Sequence, residues 1–537
     1  MKLGPVSLSR ALAVSAALVA AAAPSPAAKS VIPYLEVQQV ALANFGGDGE
    51  VLTYTALAAG VDASVSTDRA AGTLSYRYER RIPWDNDFGD QNIHTGLARG
   101  SYQLIPNKLS LDAGAIATRT RTDIRGAAPV FFTGDVNNLS QVYGAYAGPT
   151  LHTMAGPLQV DASYRFGYVK AESSDNILLA PGQPRLDQYD DATSHSLNAS
   201  VGMPSGRFPF GWTVSGGYTR EDAGQLDQQF AAKYVRGELV VPVSPTLALT
   251  GGVGYEDIKS SQRRALRDAN GVPIVDDDGR YVTDRSSPRL LAYDQDGLIY
   301  DAGVIWRPNR RTTLIARVGH RYGGTTVIGS LDWRMSRYSG LQVNVYDGIE
   351  SFGRQLTGSL SALPTGFLIP VNPFLDNLTG CVPGTTPGTG GCLNNAFQSL
   401  TTANFRSRGV NALYTLTSGP WTFGAGGGYT YRKYFAPIDD GLFTLDGVKD
   451  ESWTLQANAA RTLSARSAIS GVLFANWFDS GISGADSVSS LGATATYAHN
   501  FGRRLSGQAS VGVQTYDQSG FESQVTGQLL LGLRYQF

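Results

Sequence analysis

From Val525 to Phe537 the side chains alternate in character with a period of two. Val525, Gly527, Leu529, Leu531, Leu533, Tyr535 and Phe537 share one phase, and Thr526, Gln528, Gly532, Arg534 and Gln536 the other, with Leu530 the one apolar intruder. The same dyad runs from Val160 to Tyr168, through Leu341, Val343 and Val345, and through Leu491, Ala493, Ala495 and Tyr497. A period of two is that of a β-strand with one apolar and one polar face.

A soluble sandwich and a membrane barrel both show this pattern. Lipid cannot hydrogen-bond the backbone, so in a bilayer every strand must pair and the sheet must close, apolar outside and polar inside. Two features favour the barrel. Tight turns are expected at Asn107-Lys108, Gly156-Pro157, Ser244-Pro245, Pro308-Asn309, Ser418-Gly419-Pro420, Ala465-Arg466 and Gly502-Arg503. They alternate with long links near 125–138, 174–190, 263–296, 352–398 and 435–449. Membrane barrels sort short periplasmic turns from long external loops, and sandwiches have no reason to. The final Leu-Arg-Tyr-Gln-Phe, with Tyr535 and Phe537 in phase, also resembles the terminal signal read by the bacterial barrel-assembly machinery.

The N-terminal 28 residues read as a secretory signal peptide: Lys2 and Arg10, an apolar run from Ala11 to Ala23, then small residues. The rest, 29–537, is expected to be one outer-membrane β-barrel of a Gram-negative bacterium, with long external loops near 263–296 and 352–398. No later run reaches the roughly 20 apolar residues of a spanning helix. Counting dyads gives about 22 strands, the first near 33–45, and only about twenty residues separate the mature N-terminus from the second. The expected fold class is therefore all-β: a transmembrane antiparallel up-and-down barrel without a plug domain. That argues against a TonB-dependent receptor. The segment from Phe352 to Gln398, with Phe367, Leu368, Ile369, Val371, Phe374 and Leu375, is apolar enough either to fold inward as a constriction or to pack as an external cap. Cys381 and Cys392 lie within it, and in an exported chain they read as a disulfide.

Catalytic patterns are poor, and the chain reads as no enzyme, with no cofactor and no metal. His94, His152, His195, His320 and His499 stand singly on different strands. Asp276, Asp277, Asp278 and Asp284 cluster oxygens but lack calcium-loop spacing and read as a solvated turn. The net charge of -1 gives no sign of a nucleic-acid partner. Of 44 basic residues eight are lysine, so arginine dominates, and arginine is the better binder of carboxylates and phosphates. Arg165, Arg317, Arg321 and Arg534 fall on the polar phase and are the lumen-lining candidates, either as a cation ladder for an anionic solute or as space-filling partners of acids such as Asp112 and Asp161. Arg119, Arg121 and Arg220 fall on the outward phase near the external rim, where lipopolysaccharide phosphates would suit them. Arg99 shares a phase with Leu97 and fits neither group.

The stretch Asp301-Ala302-Gly303-Val304-Ile305-Trp306-Arg307-Pro308, continuing through Arg311-Thr312-Thr313-Leu314 to Gly319-His320-Arg321-Tyr322-Gly323-Gly324, resembles a motif of the outer-membrane β-barrel porins found with PEP-CTERM and exopolysaccharide loci. The likeness covers about 25 residues. It implies a periplasmic turn at Pro308 and Asn309, interface anchors at Trp306 and Tyr322, and a role in envelope polysaccharide export. The expected function is a conduit for an anionic exopolysaccharide, with lipid, lipopolysaccharide, the assembly machinery and periplasmic export proteins as partners. The rivals are a general small-solute porin and a structural or adhesive surface barrel.

Overall fold

The computed structural model describes residues 28–45, 51–84, 91–123, 138–172, 186–206, 208–369, 374, 378, 380–398, 400–438, 444–482, 487–518 and 523–537. The expected signal peptide thus lies, up to residue 27, outside the described residues, as do most of the expected loops 125–138 and 174–190.

Twenty-two strands form one antiparallel sheet that closes on itself. The first nine are β1 (Ala28–Asn44), β2 (Val51–Ser66), β3 (Ala70–Pro83), β4 (Gln91–Ile105), β5 (Leu109–Arg121), β6 (Leu139–Ala155), β7 (Leu158–Glu172), β8 (Asp191–Met203) and β9 (Gly211–Ala223). Next come β10 (Gln228–Ser244), β11 (Leu247–Gln262), β12 (Leu290–Asn309), β13 (Thr312–Arg321), β14 (Gly324–Trp333) and β15 (Ser339–Glu350). An insert follows, with helix α1 (Phe352–Ala362) and a small hairpin of β16 (Cys381–Pro383) and β17 (Gly390–Cys392). The wall resumes with β18 (Asn404–Ser418), β19 (Trp421–Phe435), β20 (Lys449–Ser464), β21 (Ser467–Asp479), β22 (Val488–Asn500), β23 (Leu505–Gln518) and β24 (Gln524–Gln536). Pairing of β1 with β24, from Tyr34↔Gln536 to Asn44↔Thr526, completes the ring.

The dyads point as their chemistry requires. In β24, Leu529, Leu531 and Leu533 are exposed on the outer wall, while Gln528, Leu530 and Gln536 are buried inside. Trp306, Trp333, Trp453 and Trp477 are exposed on the outside, the first two toward the short turns and the last two, with Tyr429 packed 4.6 Å from Trp453, toward the long loops. Two aromatic rows bracketing an apolar belt are the outer signature of a membrane barrel, and the protein is a β-barrel of the outer membrane. Four of the five histidines sit on this face against aromatic rings: His94 by Tyr78, His195 by Phe166, His320 by Tyr300 and His499 by Phe501.

Most short links lie at one end of the barrel and most long ones at the other, the two-residue turn between β13 and β14 at the long-link end being an exception. Two expectations here need correction. The turn after Trp306 is Arg310-Arg311, because β12 continues through Asn309. Tyr322 is no lipid anchor: with φ of 55° beside Gly323 at 68° it makes a two-residue turn of the kind that needs both residues left-handed, and its ring packs inside the wall. The link after β11 is 263–289, folded on itself by the bridges Ala265↔Thr283 and Val275↔Tyr281.

The expected barrel without a plug is also corrected. Twenty-two strands about 4.8 Å apart and tilted by roughly 40° enclose a ring about 40 Å across, and the described residues of the 351–403 insert pack within it against inward-facing side chains of both walls. A mid-belt arginine on the outer face is the direct test of this geometry. Leu531→Arg should lower unfolding stability in bilayers by about 2–4 kcal/mol, measured by denaturant titration, and an unchanged stability would contradict the outward assignment.

Candidate functional site

The insert starts where β15 ends, and its sequence explains its shape. Ser351 caps the helix by accepting from the Arg354 amide at 3.2 Å. Phe352, Leu356 and Leu360 recur at a four-residue spacing, one helical face. Pro364 holds Leu363 in extended backbone and stops the helix. That face is buried against Leu97, Ile116, Val142, Tyr146 and Val169 of β4 to β7. Leu97 is therefore apolar on an inward phase because the insert, not water, covers it.

Polar groups fasten the insert at both ends. Ser351 Oγ donates to the Glu221 carboxylate of β9 at 2.6 Å, and Arg354 donates to it at 2.8 Å. Arg354 lies 3.5 Å above the Phe230 ring and also donates to Asn404 at 3.0 Å. Arg99, unexplained in the sequence, donates from Nε to the Leu363 carbonyl and from Nη2 to that of Ser361, both at 3.2 Å. It meets carbonyls freed at the helix C-terminus. Thr118 accepts from the Leu378 amide at 2.8 Å, and Thr120 donates to the Phe397 carbonyl.

On the opposite wall, the hairpin carries the Cys381–Cys392 disulfide. A Cβ on Gly426 of β19 would lie 2.7 Å from Cys381 Sγ, so glycine is what lets the hairpin approach. Gln456 accepts from the Cys381 amide at 3.1 Å, and Asn394 and Gln398 donate to Thr454 and Ser452 of β20. Phe374 reaches a third stretch of wall, where Val40, Tyr54, Phe474 and Leu530 receive it. Leu530, the intruder on a polar phase, is its docking point. Pro370, Val371 and Leu375 lie outside the described residues.

Each of the four lumen-lining candidates faces inward and is held by a carboxylate. Arg165 meets Asp112 at 3.5 Å, Arg317 meets Glu238 at 2.8 Å, Arg321 meets Glu256 at 2.7 Å, and Arg534 meets Glu36 at 2.9 Å. Arg236, which sequence reasoning passed over, joins this lining through a fork onto Asp301 at 2.9 and 2.8 Å. The bare cation ladder gives way to paired charges. Asp161 is taken by His152 rather than an arginine. Of the rim arginines, Arg220 pairs with Asp222 at 2.8 Å on the exposed face, and Arg119 reaches Gln91. Arg121 departs from its expected outward direction, lying 5.7 Å over the ring of the buried Tyr516 across the mouth.

At the outer mouth, Thr122, Leu226, Tyr281, Leu400, Leu445 and Ile482 line a cavity of about 100 Å³, room for a few water molecules. Asp227 beside it clamps Arg263 at 2.8 Å and Arg289 at 2.6 Å. Burial alone would raise its carboxyl, but the two guanidiniums hold it below the usual carboxylate range. The Asp276 cluster serves its own turn, accepting from the amides of Asp278 and Arg280.

No family model and no curated protein matches the chain. Among solved structures it is similar to the FrpB iron transporter of Neisseria meningitidis, at 10% identity and a TM-score of 0.45, covering 94% of this chain and 82% of that one. It is similar to the ferric-catecholate import receptor Fiu of E. coli K12, at 11% identity and 0.46, covering 94% and 81%. The siderophore receptor PiuA of Acinetobacter baumannii gives 8% and 0.44, covering 94% and 82%.

The Glu221–Arg354 pair is nearly fully buried on both sides, so removing one charge leaves the other uncompensated. Glu221→Gln should destabilise the seated insert by about 3–5 kcal/mol, read as faster proteolysis within 351–403. Adding Arg354→Met should restore most of the protection. Equal proteolysis in all three proteins would show that the pair does not seat the insert.

Proposed function

We propose that the protein is an outer-membrane transport barrel that the 351–403 insert closes at rest, and that its cargo is an anionic exopolysaccharide. One observation carries the reading: the insert crosses the lumen and is fastened to separate stretches of wall, on β4–β9, β18–β20 and the β23–β2 side. A lumen filled this way does not suit a steadily open small-solute porin. Much of the fastening is polar, and such contacts exchange readily for water or a hydroxylated cargo.

The cargo follows from the family resemblance and from the interior chemistry. Paired guanidiniums along the wall can trade a wall carboxylate for that of a passing polymer, and such exchange gives weak serial binding, as conduction requires. Lipopolysaccharide, the barrel-assembly machinery and periplasmic export proteins are the partners this role implies.

In planar bilayers the intact protein should show small, infrequent openings, and deletion of residues 355–395 should raise single-channel conductance by tenfold or more. Vesicles carrying the deletion should pass a carboxylated polysaccharide faster than a neutral one of equal length. Conductance unchanged by the deletion would remove the gate, and equal flux of the two polymers would remove the anionic cargo.

A further inference from the structure

The insert has two faces of different chemistry. The apolar core that seats it takes Leu97, Ile116, Val142, Tyr146 and Val169 from β4–β7, and among the described residues it holds none of β15 or β18–β20. Within 393–400 the sorting follows the sequence. Leu393, Ala396, Phe397 and Leu400 turn into that core, while Asn394, Asn395 and Gln398 turn to the opposite wall.

Pairing between β15, β18, β19 and β20 sets Tyr346, Gly409, Thr430 and Ser452 on one inward rung of that wall. Asn411, Gly428 and Thr454 share the next rung toward the periplasm, and none of these residues is charged. A Cβ on Gly409 would lie 2.4 Å from the Tyr346 hydroxyl, so glycine is what lets the ring cross the strip and reach Thr430 at 2.7 Å. The rung above carries Ser407 and the Arg432–Asp450 pair, and the rung below carries Gly426, against which the disulfide hairpin sits. The outer-mouth cavity, lined in part by Leu400, Tyr434 and Asp450, lies just above the strip.

The insert meets the strip through side-chain amides. Gln355 donates to Ser407 at 3.3 Å, Gln398 donates to Ser452, Asn394 donates to Thr454, and Asn395 meets the Tyr346 hydroxyl. The carbonyl oxygens of all four are buried with no partner among the described residues, as is that of Asn411. Buried polar groups are normally paired, so this interface is left unfinished on both sides. Turning an amide round changes which end is left over, not that one is. A hydroxyl, which both donates and accepts, suits either end; a carboxylate, which only accepts, does not. Four strands and three rungs make a strip about 14 Å wide and about 14 Å high, room for one or two pyranose rings.

We propose that this interface is a cleft for sugar rings: the insert keeps its apolar face on β4–β7 and parts from β15 and β18–β20, where ring hydroxyls of the cargo replace the contacts between amides and wall. Parting the other face would put Phe352, Leu356 and Leu360 into water. Parting this one frees groups that water or a hydroxyl serves at once. A ligand that binds only the parted state shifts the gate toward it. This rests on the insert being the gate, and adds where the gate opens and what chemistry the opening holds.

The test uses the full-length protein in lipid vesicles with neutral hexaoses of glucose, mannose and galactose, each carrying a photoreactive diazirine, the crosslinked residues being read by mass spectrometry. At least one hexaose should crosslink to 394–398 and to β18–β20, and the same hexaose with methylated hydroxyls should do so at least tenfold less. Two bridged variants place the opening. Asn394→Cys with Thr454→Cys, joined by a short bis-thiosulfonate reagent, should lower crosslinks and channel openings at least tenfold against the unbridged protein. Gly144→Cys with Leu356→Cys, joined in the same way on the apolar face, should leave both within twofold; a Cβ on Gly144 would lie 3.5 Å from Leu356 Cγ, close enough to bridge. The two native cysteines are already paired, so the reagent acts on the new thiols alone. No crosslinks in the strip with any of the three sugars, or equal crosslinking by the methylated one, overturns the sugar site. Crosslinks or openings that survive the first bridge, or vanish with the second, overturn the side of opening. Failure of the gate itself shows separately, as conductance unchanged by deleting 355–395.

Discussion

Hydrocarbon offers a peptide group nothing to bond, and the architecture of this chain follows from that. Each of the 22 wall strands is laddered to a neighbour on both sides, and the last bonds to the first. Closure forces a wide ring and fixes which side-chain phase faces lipid. It also explains how the ladder is replaced where it lapses above the β13–β14 hairpin. The β13–β14 hairpin turns at the edge of the apolar belt, and beyond it arginine side chains take up carbonyls that strands satisfy elsewhere.

A ring this wide creates a second demand, because its interior must be filled or flooded. The chain meets it with its own segment rather than with a cluster of large wall residues. The apolar residues that break the inward polar phase, Leu97, Val40 and Leu530, lie where α1 and Phe374 dock. Charges in the remaining lining cancel in short-range pairs, since a guanidinium without a partner in a confined space is costly. Interior filling and interior neutrality meet at Glu221, a wall carboxylate that balances the insert's Arg354 and so holds the insert.

The wall was largely legible from residue order. Period-two alternation reports side-chain direction directly, so the strand number, the outward faces and most short turns could be read off. Parts of the insert were legible too: Ser351, the Phe352–Leu356–Leu360 spacing and Pro364 spell a capped helix, a signal overlooked in a segment otherwise rich in Pro, Gly and Thr. What could not be read was where the insert sits, which pairs neutralise the arginines, or that Tyr322 turns inward.

Local chemistry determined the barrel because strand pairing in lipid depends on neighbours whose faces the sequence already sorts. Tertiary structure alone decided the plug, the partners of Arg99, Arg165 and Arg534, and the lapse in the ladder between β12 and β15. Each of these joins residues tens to hundreds of positions apart across a curved wall. Their meeting depends on the stagger of the whole ring, a property no single strand carries.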